Sequence, residues 1–306
     1  MRFLFAALTA CLALVDLARA QTPIAVVPYS VTTEGAISIA VTIDGRGPYD
    51  FLVDTGATLT LVFENFARRA PLQRAEGNAK RILSISGARV FEPYIIGDLT
   101  AGTLLSSRQT GVVLPDWEAP RETPAGIVGL DVLENFALAF DVRAKTISFY
   151  SRDGLPAELT RRMRKAPMRR TRYDGGGAEL YTVNGRINGE PIRFIVDLGL
   201  ATTLVNYAAG DALFASTLSI ASGRTATTNT RLDDVFDDRT KISAGTMRAI
   251  TVSTQRWSRK TVWIYDAPLF DELGVQRLAY GLLGADLLTR QDFAIDFSAE
   301  RIYFAR

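Results

Sequence analysis

The sequence predicts an all-β protein of two similar lobes produced by an internal duplication, on three observations. An apolar run ending in Asp-x-Gly occurs twice, and an apolar-apolar-Gly block follows each copy. A closing pair of strands then ends each half, and helical periodicity is scarce throughout. The 306 residues are long enough for two units that each bury a core, at roughly 100–200 residues per domain.

Composition removes several classes of chemistry. With 47% hydrophobic and 22% charged residues the chain is of ordinary globular type. It has no histidine, which excludes Ser-His-Asp and Cys-His nucleophiles, His-ligated zinc and HExxH sites. Its one cysteine, Cys11, excludes an internal disulfide or a CxxC motif. Carboxylates, hydroxyls, amines or a borrowed cofactor remain.

In chain order, residues 1–20 read as a secretory signal peptide. Met1-Arg2 is a positive start, Phe3 to Val15 is almost wholly apolar, and Ala18-Arg19-Ala20 is a small-x-small cleavage site. Asp16 is an unusual guest there. Leu8-Thr9-Ala10-Cys11 also resembles a lipobox, which would anchor the chain through Cys11, although the apolar run continues past it. Cleavage after Ala20 leaves a chain of net charge +1 with no cysteine and no stable membrane span. No bulk field then favours nucleic acid. The preference for Arg over Lys leans towards a GC-rich bacterial genome, and the expected location is periplasmic or secreted.

Residues 21–152 and 178–306 read as the two lobes. The run Phe51-Leu52-Val53-Asp54-Thr55-Gly56-Ala57 answers Phe194-Ile195-Val196-Asp197-Leu198-Gly199-Leu200, at an offset of 143. Gly126-Ile127-Val128-Gly129 answers Gly281-Leu282-Leu283-Gly284 at 155, and Ile147-Ser148-Phe149-Tyr150 answers Ile302-Tyr303-Phe304 at the same 155. Asp44-Gly45 and Asn188-Gly189 are hairpin signals leading into the two Asp-bearing strands. Asp131-Val132-Leu133-Glu134 reads as a capping box, with Asp286 capping the equivalent short helix. Whether Gln21 to Gly35 is a leader or a first strand stays open.

Between the lobes, residues 153–177 are basic and end in Gly175-Gly176-Gly177. They read as an interlobe linker or edge strand. An anionic partner site there would lack the interleaved aromatics of nucleic-acid grooves.

One Asp-x-Gly after a strand is ordinarily a turn. Two of them, each followed by an apolar-apolar-Gly block, point instead to two carboxylates delivered by equivalent loops. Carboxylates ~3 Å apart cannot both ionise easily, so one keeps a proton. The charged member can take a proton from water while the protonated one polarises a carbonyl, which needs neither metal nor cofactor.

These residues carry a resemblance over both halves of the mature chain. Asp54-Thr55-Gly56-Ala57 with Ile127-Val128-Gly129, and Asp197-Leu198-Gly199 with Leu282-Leu283-Gly284, resemble the aspartic proteases of the pepsin and retropepsin clan. The bacterial, exported, retropepsin-like members are the most similar. The resemblance implies a bilobal pepsin-like fold with a cleft between the lobes and a catalytic dyad of Asp54 and Asp197. It further implies a peptide or protein substrate, a monomer that mimics a dimer, and a hairpin flap in the place of Ser84-Ile85-Ser86-Gly87-Ala88-Arg89, where the flap tyrosine of pepsins is missing.

The second motif departs from the family. Leu198 replaces the usual Thr or Ser and has no hydroxyl to bond across the loops, and Leu200 offers no side-chain donor. Apolar neighbours should raise the pKa of Asp197 by desolvation. Three functions follow: an endopeptidase, a pseudoprotease that binds peptide or an envelope partner without cutting, and a non-proteolytic envelope scaffold.

Overall fold

The computed structural model describes residues 21–117, 122–173, 177–210, 231–233 and 239–306. The signal-peptide reading of residues 1–20 with Cys11, and Gly175 and Gly176 of the basic segment, lie outside them. Among the described residues strand is the main secondary structure, and nineteen strands share one continuous hydrogen-bonded system. Among the described residues the helices are short, as in Glu64–Arg69, and none is long and apolar enough to cross a membrane.

Both hairpin signals fold as turns of positive φ. Asp44 (φ 49°) and Gly45 (φ 73°) join Ile37–Ile43 to Arg46–Val53. Asn188 (φ 51°) and Gly189 (φ 104°) join Glu179–Ile187 to Glu190–Val196. Asn, Asp and Gly tolerate that region, and its twist matches the flanking strands. The registers match: Ser38 pairs with Leu52, and Thr182 with Ile195. Each half adds a long second hairpin, Pro93–Ala101 with Leu104–Leu114 and Ser243–Val252 with Gln255–Ile264.

A third layer joins the halves. Its antiparallel strand order is Ala25–Val31, Thr146–Tyr150, Ala137–Asp141, Phe293–Asp296, Arg301–Phe304, Arg164–Arg172. The two central strands meet in a self-complementary register in which Leu138 faces Ile295 and Phe140 faces Phe293. The rings of Phe140 and Phe293 stack at 4.2 Å and 8°, both buried. Ile147, Phe149, Ile302 and Phe304 close the core on either side.

Gln21 to Gly35 contains the first strand of this layer, and Arg164–Arg172 is its counterpart at the opposite edge. The latter pairs Arg164 to Pro167 with Arg301–Phe304, and Met168 to Arg172 with Glu179–Ile187. The basic segment therefore contributes an edge strand to two sheets. Ala166 and Met168 face the core while the alternate cations stay exposed, so period-2 burial coexists with a strongly basic composition.

Because the Phe140–Phe293 stack sits where the halves pair, Phe293→Ala is expected to cost about 3–5 kcal/mol. Urea unfolding of the native and variant proteins measures it, and a cost below about 1 kcal/mol would place the junction elsewhere.

Candidate active site

Asp54 and Asp197 stand where two apolar strands end. Gly126–Val128 runs parallel to Phe51, Leu52 and Val53 and antiparallel to Leu61 and Val62. Tyr280–Leu283 lies likewise between Glu190–Val196 and Leu204–Val205. The apolar-apolar-Gly blocks thereby hold the aspartates directly: the Asp54 N–H donates to Val128 O, and the Asp197 N–H to Leu283 O, both at 3.1 Å. Ile127, Leu282 and Leu283 fill the strand between.

The two loops meet through their glycines. A Cβ on Gly56 would lie 2.7 Å from Asp197 Cγ, and one on Gly199 would lie 2.3 Å from Asp54 Cγ. No side chain fits at either position, and this close approach brings the two carboxyl groups together. Asp54 Oδ1 also accepts from the N–H of Gly56 (2.7 Å) and of Ala57 (3.1 Å), and Asp197 Oδ1 from that of Leu200 (3.0 Å).

The electrostatics are unequal. Burial pushes the Asp54 carboxyl above the ordinary range, while the N–H donors of Gly56 and Ala57 pull it back. Burial raises Asp197 well above that range, and the charge of Asp54 raises it further. Leu198 and Leu200 are buried beside it, as the apolar motif leads one to expect. The pair thus holds one proton between its two carboxyls, and the two N–H donors on Asp54 against one on Asp197 favour the charged form at Asp54.

Thr55 supplies a cross-loop lock. Its buried Oγ1 donates to Val196 O at 2.8 Å and accepts from the Leu198 N–H at 3.0 Å. Leu198 cannot return the bond. Its fully buried side chain holds the second loop by packing, so the lock has one polar half and one apolar half.

Asp131 and Asp286 are not helix caps. The cap positions of the short helices Leu130–Leu133 and Ala285–Leu288 are Gly129 and Gly284, neither with a side-chain cap bond. Asp131 Oδ1 accepts from the N–H (2.9 Å) and hydroxyl (2.7 Å) of Thr60, and Asp286 Oδ1 from those of Thr203 (2.8 and 2.7 Å). Each threonine in turn receives the N–H of Gly129 (3.1 Å) or Gly284 (3.0 Å). Thr60 and Thr203 are wholly buried and brace the loops from below. Sequence reading passed over them, although each follows its aspartate by six positions. Glu134, the other half of the supposed capping box, instead accepts from Arg170 and the Tyr181 hydroxyl.

Above the dyad lies a cleft of about 940 Å³. The hairpin Lys80–Ser84 with Gly87–Phe91 reaches over it, turning at Ile85-Ser86 where the flap was expected. Its Arg81 pairs with Glu272 on the helix Pro268–Glu272 of the other half, so the hairpin bridges the cleft. Leu52, Ile82, Trp117 and Ile127 give one wall an apolar surface. Among the described residues no group of three His, Cys, Asp or Glu side chains is placed to hold a metal.

Two aspartates from equivalent loops, brought together on the floor of a cleft between β lobes, define the aspartic-protease class of site. A family model described as aspartyl protease matches residues 39–132 and 183–287, and the chain belongs to that family. The fold is similar to that of the aspartic proteinase from Irpex lacteus, with a TM-score of 0.57 over 92% of this chain and 96% of that one. At 16% identity that likeness is one of fold. Among curated proteins the chain has no match.

Two expected outcomes follow. Thr55→Val orphans the Val196 carbonyl and the Leu198 N–H, at about 1–3 kcal/mol for each group left buried, measured by urea unfolding. The raised Asp197 pKa means that the native state binds more protons than the unfolded chain from about pH 4 up to the folded value. Stability therefore falls as pH rises through that window. Asp197→Asn should flatten the fall, gaining on the native protein as pH rises, in a series of denaturation midpoints. Asp131 and Asp286, also raised by burial, retain their slope of the same sign in the variant.

Proposed function

We propose that the protein is an exported endopeptidase that hydrolyses peptide bonds with a water activated between Asp54 and Asp197. The observation that carries the reading is the packing of each aspartate against the opposite loop's glycine, which sets the two carboxyls together on the floor of the cleft despite Leu198. In this reading charged Asp54 takes a proton from water as it attacks, and protonated Asp197 donates to the scissile carbonyl oxygen. Both carboxylates come from one chain, so a monomer suffices, and the chemistry needs no metal or cofactor. Export to the periplasm or medium rests on the signal-like residues 1–20, and the matched blocks support descent from a duplicated half.

A missing cross-loop bond weakens positioning by ~0.5–1.5 kcal/mol, too little by itself to abolish turnover. The peptide-binding pseudoprotease is favoured by one observation only, the absence of a hydroxyl at Leu198.

The purified protein should cleave an unfolded protein substrate, and Asp54→Asn should reduce the rate at least about 10³-fold while the variant stays folded. Because both carboxyls are raised, the rate should peak at less acidic pH than for a dyad of ordinary carboxylates, and a maximum near pH 3 would contradict this. A folded native protein that cuts nothing between pH 3 and 8 would leave the pseudoprotease.

A further inference from the structure

The first-half wall of the cleft carries polar groups that the hydrolytic chemistry does not use. Asp50, Leu52 and Asp54 alternate along one strand and all line the cleft, so the Asp50 carboxylate faces the same space as the dyad. Ser38 pairs with Leu52 on the neighbouring strand and also lines the cleft. Its side-chain oxygen is buried, with the residue 4% exposed, and has no hydrogen-bond partner among the described residues. A buried hydroxyl without a protein partner has its hydrogen-bonding capacity free for a water or a ligand group that reaches it. Glu122 also lines the cleft, three residues before Ala125, whose N–H donates to Asp50 O at 2.8 Å.

Among the described lining residues the charge around these groups is one-sided. The two arginines among the described lining residues are already engaged, Arg81 with Glu272 and Arg170 with Glu134 and Glu179. Among the described residues no Lys or Arg forms an ion pair with Asp50 or Glu122. A cleft with acidic walls concentrates cations, whereas the chain as a whole is slightly positive.

We propose that Asp50, Glu122 and the Ser38 hydroxyl form a specificity subsite for a Lys or Arg side chain of the peptide. The inference rests on the reading of this cleft as a peptide-cleaving site. Asp50 precedes Asp54 by four residues, roughly 13 Å along the strand. An extended peptide advances at a similar rise, so the subsite serves a residue about two to four positions from the scissile bond. The ammonium or guanidinium lies against the Asp50 carboxylate, its stem crosses Leu52 and Ile127, and the Ser38 oxygen accepts one of its protons or a backbone N–H.

The test scans Lys, norleucine or Glu along otherwise identical peptides at about pH 6. Lys should exceed norleucine in kcat/KM by about tenfold or more at one position in that range, Glu should be worst, and salt should shrink the gap. Asp50→Asn should remove most of the Lys preference over norleucine and Asp50→Lys should reverse it. Ser38→Ala should reduce the preference without removing it. Cleavage that is indifferent to charge, or a Lys preference unchanged in both Asp50 variants, overturns the subsite and leaves proteolysis standing. Binding of the same peptides to the Asp54→Asn protein, read by fluorescence anisotropy, separates the two readings. If the native protein cuts nothing but Lys peptides bind at least about tenfold tighter, the subsite stands and proteolysis falls. No cleavage with equal or absent binding overturns the subsite as well.

Discussion

Everything at this site depends on forcing two carboxyl groups together on the floor of a cleft. Like charges at hydrogen-bond distance cannot both ionise cheaply, so the pair holds one proton between them. Contact is possible because Gly56 and Gly199 present no side chain to the opposite aspartate. The wider architecture serves that approach. Parallel strands pin each aspartate by its backbone, and Thr60–Asp131 and Thr203–Asp286 hold the loops from beneath. The central layer, with Phe140 stacked on Phe293, fixes one half against the other.

Within this near-symmetric frame the chemistry is asymmetric. Thr55 makes both polar contacts of the cross-loop lock, while Leu198 contributes only packing. The first aspartate accepts from Gly56 and Ala57 and keeps its charge more readily. The second sits among leucines and feels the charge of the first. Leu198 is thus less a defect than a bias that assigns the proton to one side of the pair. General acid and general base roles separate in the same way wherever two titratable groups are given different surroundings.

The strands, hairpins and both aspartates were legible because they are local patterns repeated at a fixed offset: apolar run, Asp-x-Gly, and turns of Asp-Gly and Asn-Gly. What escaped was tertiary. Asp131 and Glu134 satisfy a capping-box spacing, but Thr60, 71 positions upstream, offers Asp131 both a backbone and a hydroxyl donor and prevails over the local cap. For Arg164–Arg172, where exposed Arg and Lys dominate, composition left a linker and an edge strand both open, and the burial of Ala166 and Met168 decides for the strand. Ser38 carries no sequence signal at all, since its significance lies in a hydroxyl left without a partner beside Leu52.

The shared proton can be observed directly by titrating the 13C-labelled aspartate carboxyls by NMR in the native and Asp54→Asn proteins. Two separate steps should belong to the dyad, the upper one well above the ordinary carboxylate range of about 4. That upper step should move down in Asp54→Asn, where no charge opposes the ionisation of Asp197, yet stay elevated because burial persists. Both carboxyls titrating together near 4, with no response to Asp54→Asn, would show two independent groups and contradict the shared proton.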